Sequence, residues 1–309
     1  MRAVSQASFG DPGVLKLMDH PDPVPLPTEI VVRVKASSIN PVDAYIRSGA
    51  FPLFGSPPFI LGWDVSGVVE SMEPGVNRFA VGDEVYGMPL FPRPASAYAE
   101  KVAAPSRHFA LKPKSLDHIH AAALPLVGLT AWQSLVDAAQ LAPGQRVLIH
   151  AGAGGVGHVA VQIAKARGAY VISTASAGKL DFVRGLGADE VIDYRKVDFA
   201  EKVSGIDVVL ETVGGDTAER SMRVLKPGGV FVTIVDRRNA ALAETTRKAG
   251  FRFAGVAVEP DYLALEELGR LVEQGKLKVH VEKTFPLAEA AAAHRFLETK
   301  PKGKVVLVP

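Results

Sequence analysis

Four glycines within six residues, Gly152-Ala153-Gly154-Gly155-Val156-Gly157, carry the sharpest chemical signal in this chain. The spacing G-x-G-x-x-G falls between the apolar run Val147-Leu148-Ile149 and a 3.6-residue repeat of Val156, Val159, Ala160, Ile163 and Ala164 that stops at Gly168. That is a strand, a tight turn and a helix. Glycine has three physical tasks in such a turn: to bend the chain, to let the backbone reach a pyrophosphate, and to let helix and strand pack closely. The free N–H groups of the first helical turn, backed by the helix dipole, then hold the phosphates. Glycine-rich turns also occur without a ligand. The strand before and the helix after make dinucleotide binding the reading here, with residues 152–157 as the contacts.

The choice between the two nicotinamide dinucleotides is made about 20 residues further on. There an NAD site places an Asp or Glu on the ribose 2′-hydroxyl. The stretch Val171-Ile-Ser-Thr-Ala-Ser-Ala-Gly-Lys179 contains no acid, and the first one is Asp181. Ser176 can donate a hydrogen bond to a 2′-phosphate and Lys179 can supply charge. Tyr194 and Arg195 close the following strand and could complete the pocket. Any single Lys or Arg is often only a solvated charge. The missing acid and the two bases together point to NADP(H).

Composition limits what else the chain can be. It has 309 residues, enough for two domains, with 48% hydrophobic and 22% charged residues, the profile of a soluble globular protein. With 35 Lys and Arg against 33 Asp and Glu, the formal net charge of +2 gives no reason to expect a nucleic-acid partner. There is no cysteine, which removes disulfides, thiolate metal sites and Cys nucleophiles and fits a reducing cytoplasm, the expected compartment. The opening residues MRAVSQASFGDPG lack the apolar core of a signal peptide. No run of about 18 apolar residues exists to span a membrane.

The elements that must position these residues fall into two styles. Residues 1–115 read as β-rich: runs at 30–34, 65–71, 83–87 and 98–102 are separated by Pro and Gly clusters, with no long 3.6-residue period. A small barrel or sandwich is expected. Near residue 116 the chain turns Ala- and Leu-rich and helical, interrupted by Pro125 and Gly128. Strands at 146–151, 170–174, 190–193, 206–211 and 230–235 then alternate with helices at 156–167, 178–185 and 217–225. Such alternation means α/β, a doubly wound parallel sheet. Two amphipathic helices at 261–274 and 287–300 and a strand at 304–308 follow. His118 and His120, the one close His pair, are expected just ahead of a helix as surface or capping groups, and no metal site is expected there.

Several segments together carry a family resemblance. They are Ser38-Ile-Asn-Pro-Val-Asp43, Gly62-Trp-Asp-Val-Ser-Gly67, Val81-Gly-Asp-Glu-Val-Tyr-Gly87, Leu124-Pro-Leu-Val-Gly-Leu-Thr-Ala131, the glycine turn, Val191-Ile-Asp-Tyr-Arg195 and Gly303-Lys-Val-Val-Leu307. From end to end the chain resembles the medium-chain dehydrogenase/reductase superfamily, and within it the zinc-free quinone oxidoreductases related to zeta-crystallin. The resemblance implies a GroES-like catalytic domain over residues 1–118, a Rossmann NADP-binding domain over 119–264, and a C-terminal segment, 265–309, returning to the catalytic domain. Where zinc-dependent relatives place a catalytic Cys this chain has Asn40. Trp63 and Asp64 stand at their His-Glu pair, and the four-Cys structural lobe is missing. Zinc needs three or four N, S or O ligands, so no metal is implied.

The resemblance also implies roles. The nicotinamide ring is expected in a cleft between the domains, lined by Asn40, Pro41, Val42 and Thr130. Thr212, Val213, Ile234 and Val235 would touch the ring or its ribose, and Gly303 and Lys304 would close the cofactor side. Asn40 can hydrogen-bond substrate or ribose. Tyr45 can donate to a developing oxyanion or relay a proton, unless it is simply a packed aromatic; Asp43 reads as a cap, and water can be the final proton donor. Phe51, Phe54, Phe59 and Phe91 with Pro92 are candidate walls of a substrate pocket. With no Lewis acid to polarise a plain ketone, the expected acceptors are quinones and α,β-unsaturated carbonyls. An enoyl-thioester reductase, for which only Arg47 and Arg93 offer basic groups, and a weakly catalytic NADPH-binding sensor are the alternatives. A homodimer paired through residues 251–258 is expected from the family.

Overall fold

β-Branched runs cut short by Pro and Gly give strands that pair with near neighbours. In the computed structural model, which describes residues 1–309, they are β1 (Arg2–Gln6), β2 (Lys16–Asp19), β3 (Glu29–Ile39), β4 (Phe59–Ile60), β5 (Val65–Met72), β6 (Glu84–Gly87), β7 (Lys101–Pro105) and β8 (Phe109–Leu111), with one α-helix among them, α1 (Pro41–Ser48). β1 lies between β2 and β4 in a small antiparallel sheet. β3 is the spine of the larger sheet. Along it Val32 and Val34 are buried while Arg33 and Lys35 are exposed, the period of two expected of a half-covered strand. Val32 sits opposite Val69 of β5 and Val102 of β7, and this face closes on Val65, Val85 and Phe109. Each such side chain contributes roughly 1.5–3 kcal/mol by leaving water.

The change of style near residue 116 is the start of α2 (His118–Ala122), followed by α3 (Pro125–Trp132). His118 and His120 lie inside α2 rather than ahead of a helix. The reason is Asp117, which accepts a hydrogen bond from the His120 N–H (2.8 Å) and so caps the helix before both histidines.

The next strands and helices form the parallel layer: β9 (Arg146–Ile149), α4 (Gly155–Ala166), β10 (Tyr170–Ala175), α5 (Leu180–Gly185), β11 (Glu190–Asp193), α6 (Phe199–Lys202), β12 (Ile206–Glu211), α7 (Asp216–Met222), β13 (Leu225–Thr233), α8 (Ala240–Lys248) and β14 (Arg252–Gly255). The strand order is β11-β10-β9-β12-β13-β14. The chain winds outward from β9 to β11, then returns and winds the other way from β12, so the order reverses between β9 and β12. That switch point is where an open α/β sheet binds its ligand, at the strands' carboxyl ends. Leu148, Ile172, Val209 and Phe231 form its core. Besides the short helix α6, which no expected element covers, two details differ from expectation. β13 begins at Leu225 and absorbs the turn-like Lys226-Pro-Gly-Gly229 through a register shift opposite Ile206 and Val208. α8 has no apolar stripe strong enough to announce it. Its start is fixed by the cap residue Asn239, whose side chain accepts from the Leu242 N–H (3.0 Å).

The chain ends with α9 (Tyr262–Glu273), β15 (Val281–Pro286), α10 (Ala290–Glu298) and β16 (Lys304–Val308). β16 pairs antiparallel to β3 (Leu307 opposite Ser37) and parallel to β15, completing the larger sheet. Two compact units result: Met1–Leu129 with Glu259–Gln274 and Val279–Pro309, and Thr130–Val258 with Gly275–Lys278. No helix is long and apolar enough to cross a membrane.

Candidate active site

In the second unit the glycine turn joins β9 to α4. A Cβ on Gly152 would lie 2.1 Å from Ser173 Oγ, and one on Gly157 would lie 2.2 Å from the Ala151 carbonyl oxygen, so both positions are restricted to glycine by close approach. A Cβ on Gly154 would meet only the Ala151 oxygen, at 3.2 Å. Ala151 itself is left-handed (φ 51°). Its N–H donates to Thr174 Oγ1 (3.2 Å), which lies 3.2 Å from His150 Nδ1, and His150 Nε2 lies 2.8 Å from Ser221 Oγ. Ser221 donates to the Thr217 carbonyl (2.6 Å), so it accepts from His150 Nε2–H and Thr174 donates to Nδ1. Burial, then Arg220, pushes this imidazole down to about 3, so it is neutral. A neutral histidine thus braces the turn. Ala153 is buried there, and Gly155 and Val156 begin α4. The cradle fits a pyrophosphate.

The corner for the adenosine ribose is built by strand register. Ala175 of β10 pairs with Asp193 of β11, which sets Ser176 and Tyr194 side by side at the two carboxyl ends. Ser176 caps the short turn Ala177–Lys179, and the Lys179 N–H bonds the Ser176 carbonyl (2.8 Å). Tyr194 is exposed, with the Arg195 guanidinium 5.8 Å from its ring centre. The nearby acids are engaged elsewhere: Asp181 with Arg184 (2.6 Å), Asp193 with the Arg195 N–H (3.1 Å). A serine and a lysine following one strand end, with a tyrosine following the next, fit a phosphorylated ribose.

On the other side of the switch point, Thr212 and Val213 follow β12, and Ile234 and Val235 follow β13. Thr212 donates to the His150 carbonyl (3.0 Å), and Val213 and Val235 are exposed. Thr130, in α3, is buried.

The first unit holds a buried polar cluster around Asn40, Asp64 and Lys304, all essentially inaccessible. Asp64 Oδ2 accepts from Ser38 Oγ, from Asn40 Nδ2 (2.8 Å) and from Lys304 Nζ (3.3 Å), while Oδ1 accepts from the Leu126 N–H (2.7 Å). Lys304 Nζ also donates to Asn40 Oδ1. The lysine expected at the cofactor side is therefore committed to Asn40 and Asp64, and burial lowers its pKa against the pull of Asp64 and Asp43. Gly303 packs its Cα against the His280 carbonyl.

Asn40 is also the N-cap of α1, where Pro41 is exposed and Val42 half-buried. Asp43 Oδ2 accepts from the Asn40 N–H (2.8 Å) and from the Tyr98 hydroxyl (3.1 Å). The cap expected of Asp43 is present, with partners that sequence spacing could not supply. Arg47 donates to His294 Nδ1 (3.2 Å), so His294 carries its hydrogen on Nε2 and donates to Tyr98 Oη (3.2 Å). Burial, then Arg47, takes His294 down to about 3. Every donor in this chain points toward Asp43, whose carboxyl burial pushes up to about 7 against the Asn40 and Tyr98 hydrogen bonds. Tyr45, one position from the buried face of α1, is 59% exposed and is not a packed aromatic.

Phe54, Phe59 and Phe91 form edge-on contacts in one aromatic chain through buried Trp63: Phe59–Phe54 at 5.4 Å, Phe54–Trp63 at 5.2 Å and Trp63–Phe91 at 4.9 Å between ring centres. Phe51 stays exposed. No group of three or more His, Asp or Glu side chains is arranged to hold a metal ion; His118 instead meets Ser66 (2.8 Å) and Glu84 (3.2 Å).

A parallel sheet with this turn at its switch point is the dinucleotide-binding half of an oxidoreductase. Comparison with known proteins agrees. Residues 26–114 match the alcohol dehydrogenase GroES-like domain and residues 186–307 the zinc-binding dehydrogenase family. The chain is 36% identical to the chloroplastic NADPH-dependent alkenal/one oxidoreductase of Arabidopsis thaliana, over 100% of this chain and 80% of that one. Among solved structures it is similar to the quinone oxidoreductase of Coxiella burnetii (38% identity, TM-score 0.94, 100% of this chain and 99% of that one). It is also similar to the Escherichia coli quinone oxidoreductase complexed with NADPH (30% identity, TM-score 0.89, 100% of both). The chain belongs to the medium-chain dehydrogenase/reductase superfamily, in its quinone and alkenal oxidoreductase branch.

Proposed function

We propose that this chain is an NADPH-dependent reductase that delivers hydride to a quinone or an α,β-unsaturated carbonyl without help from a metal. The observation that carries the reading is the Asp64 carboxylate. Its oxygens are taken up by Ser38, Asn40, Leu126 N–H and the Lys304 ammonium, so the position that could ligate a cation already holds an internal one. A substrate whose own conjugation spreads the incoming charge needs no Lewis acid.

The bound nicotinamide supplies the hydride. The chain's residues do the rest. The backbone of 152–157 holds the pyrophosphate, and Ser176, Lys179 and Tyr194 hold the 2′-phosphate. Thr212, Val213, Ile234 and Val235, with Thr130 in the same unit, bound the ring. Asn40 is fully buried, its amide held by Asp64 and its carbonyl by Lys304, so it supports the start of α1 rather than touching the acceptor. Tyr45 is exposed enough for its proton to be replaced by one from water. Phe54, Phe59 and Phe91 form an apolar wall suited to a flat acceptor.

A stopped-flow experiment with 9,10-phenanthrenequinone tests this. NADPH oxidation at least about a hundredfold faster than NADH oxidation is expected, the combined value of a charge and a hydrogen bond on the 2′-phosphate. Equal rates, or turnover that tracks added zinc, would sink the reading. Ranking quinones, enones and enoyl thioesters by kcat/KM separates the substrate classes. A homodimer paired through β14, the edge of the six-stranded sheet, belongs to the same proposal; sedimentation velocity should give twice the monomer mass.

A further inference from the structure

The last residues of β12 and β13, Glu211 and Thr233, are register partners at the carboxyl ends of neighbouring parallel strands. Both are fully buried, and each folds back on the turn that follows it. Glu211 Oε1 accepts from the Val213 N–H (2.6 Å) and the Gly214 N–H (2.7 Å). Thr233 Oγ1 accepts from the Val235 N–H (3.3 Å) and the Asp236 N–H (3.1 Å), and donates to Glu211 Oε2 (3.3 Å). One carboxylate therefore links two turns. All three of its partners donate, and a protonated carboxyl would need an acceptor for its own hydrogen, so the geometry selects the ionised form. Burial works against that, raising its pKa, with Asp236 adding to the rise.

The two turns lie on one side of the switch point. The pyrophosphate cradle follows β9, and the ribose corner follows β10 and β11. A dinucleotide draped over the carboxyl ends thus extends its other half over β12 and β13. That half gains a positive charge when it gives up hydride. We propose that Glu211 is a positioning residue for the turns that receive the nicotinamide, and that its enclosed negative charge favours the oxidised nucleotide over the reduced one. The inference rests on the proposed use of NADPH.

The test is nucleotide binding, measured by calorimetric titration of the purified full chain with NADPH and with NADP⁺, alongside thermal melting. Glu211→Gln keeps an oxygen for the two backbone N–H groups and removes the charge. Its amide nitrogen cannot accept from Thr233, so both nucleotides should weaken somewhat, but NADP⁺ roughly tenfold more than NADPH, the size of a unit charge acting over about 10 Å at an effective dielectric of about 20. Thr233→Val keeps the charge and cuts the link between the turns. It should weaken both nucleotides together and leave their ratio unchanged. An unchanged ratio in Glu211→Gln overturns the electrostatic role. If Glu211→Gln does not fold, a changed ratio in Thr233→Val overturns it equally, since the charge is still there. Failure of the unmodified protein to bind either nucleotide would refute the proposed function itself and is read before any variant.

Discussion

Asp43→Asn should stabilise the protein more at alkaline pH than at acid pH, relative to the wild type. Burial pushes the Asp43 carboxyl from 3.8 up to about 7. A group whose pKa rises on folding contributes fully below its unfolded value, and that contribution is lost as pH climbs through the folded value. At 1.36 kcal/mol per unit, a rise of roughly three units means that ionised Asp43 costs about 4 kcal/mol above pH 7. At about pH 5 under half of this cost has developed; by about pH 8 nearly all has. Asp43→Asn can still accept from Asn40 N–H and the Tyr98 hydroxyl but cannot ionise. Any fixed offset from its amide cancels between the two pH values. Urea denaturation at matched ionic strength should therefore show the variant gaining roughly 2–3 kcal/mol on the wild type between about pH 5 and pH 8. A difference that stays constant with pH would mean the folded carboxyl titrates at its ordinary value, and the reasoning about burial would be wrong.

Lys179→Glu should weaken NADPH at least about tenfold in a fluorescence titration, the value of one charge-assisted hydrogen bond, and leave NADH unaffected; equal loss of both would remove Lys179 from the phosphate corner. Tyr45→Phe should keep kcat/KM within about fivefold because water reaches an exposed phenol. A fall of about a hundredfold would make the phenol an obligatory proton donor. Lys304→Met strands the Asp64 carboxylate in the interior and should cost about 3–5 kcal/mol in denaturant unfolding. The double variant with Asp64→Asn should recover much of that, and failure to recover would show that lost packing, not charge, is responsible.

The parallel layer was legible because its signals are local. The apolar run at 147–149, the glycines and the helical repeat after them are contiguous in the chain, and the missing acid before Asp181 is a statement about one strand end. The β-rich style of the first unit was equally local. What stayed hidden depends on contacts between distant residues. The donors to Asp43 come from Tyr98 and, behind it, His294 and Arg47, with a separation of 55 positions from Asp43 to Tyr98 and 196 from Tyr98 to His294. Lys304 was expected at the cofactor side, and its burial against Asn40, 264 positions earlier, shows only once β16 is seen beside β3. Glu211 closes an apolar strand and offers no motif; only the register with Thr233 gives it a partner. His150 stands just ahead of a tight turn, and its neutral state follows from burial, which spacing does not report. α8 goes unmarked because AALAETTRK carries few apolar residues to define a face.

The position of β16 between β15 and β3 has a consequence for how the molecule assembles as it is synthesised. All six strands of the nucleotide-binding sheet lie between residues 146 and 255, so that sheet can close while translation continues. The sheet that contains β3 lacks an interior member until residues 304–308 arrive. The unit whose strands are made first is thus the one completed last, and ribosome-stalled chains ending before Lys304 should yield a protease-resistant fragment from the middle of the sequence but not from its beginning.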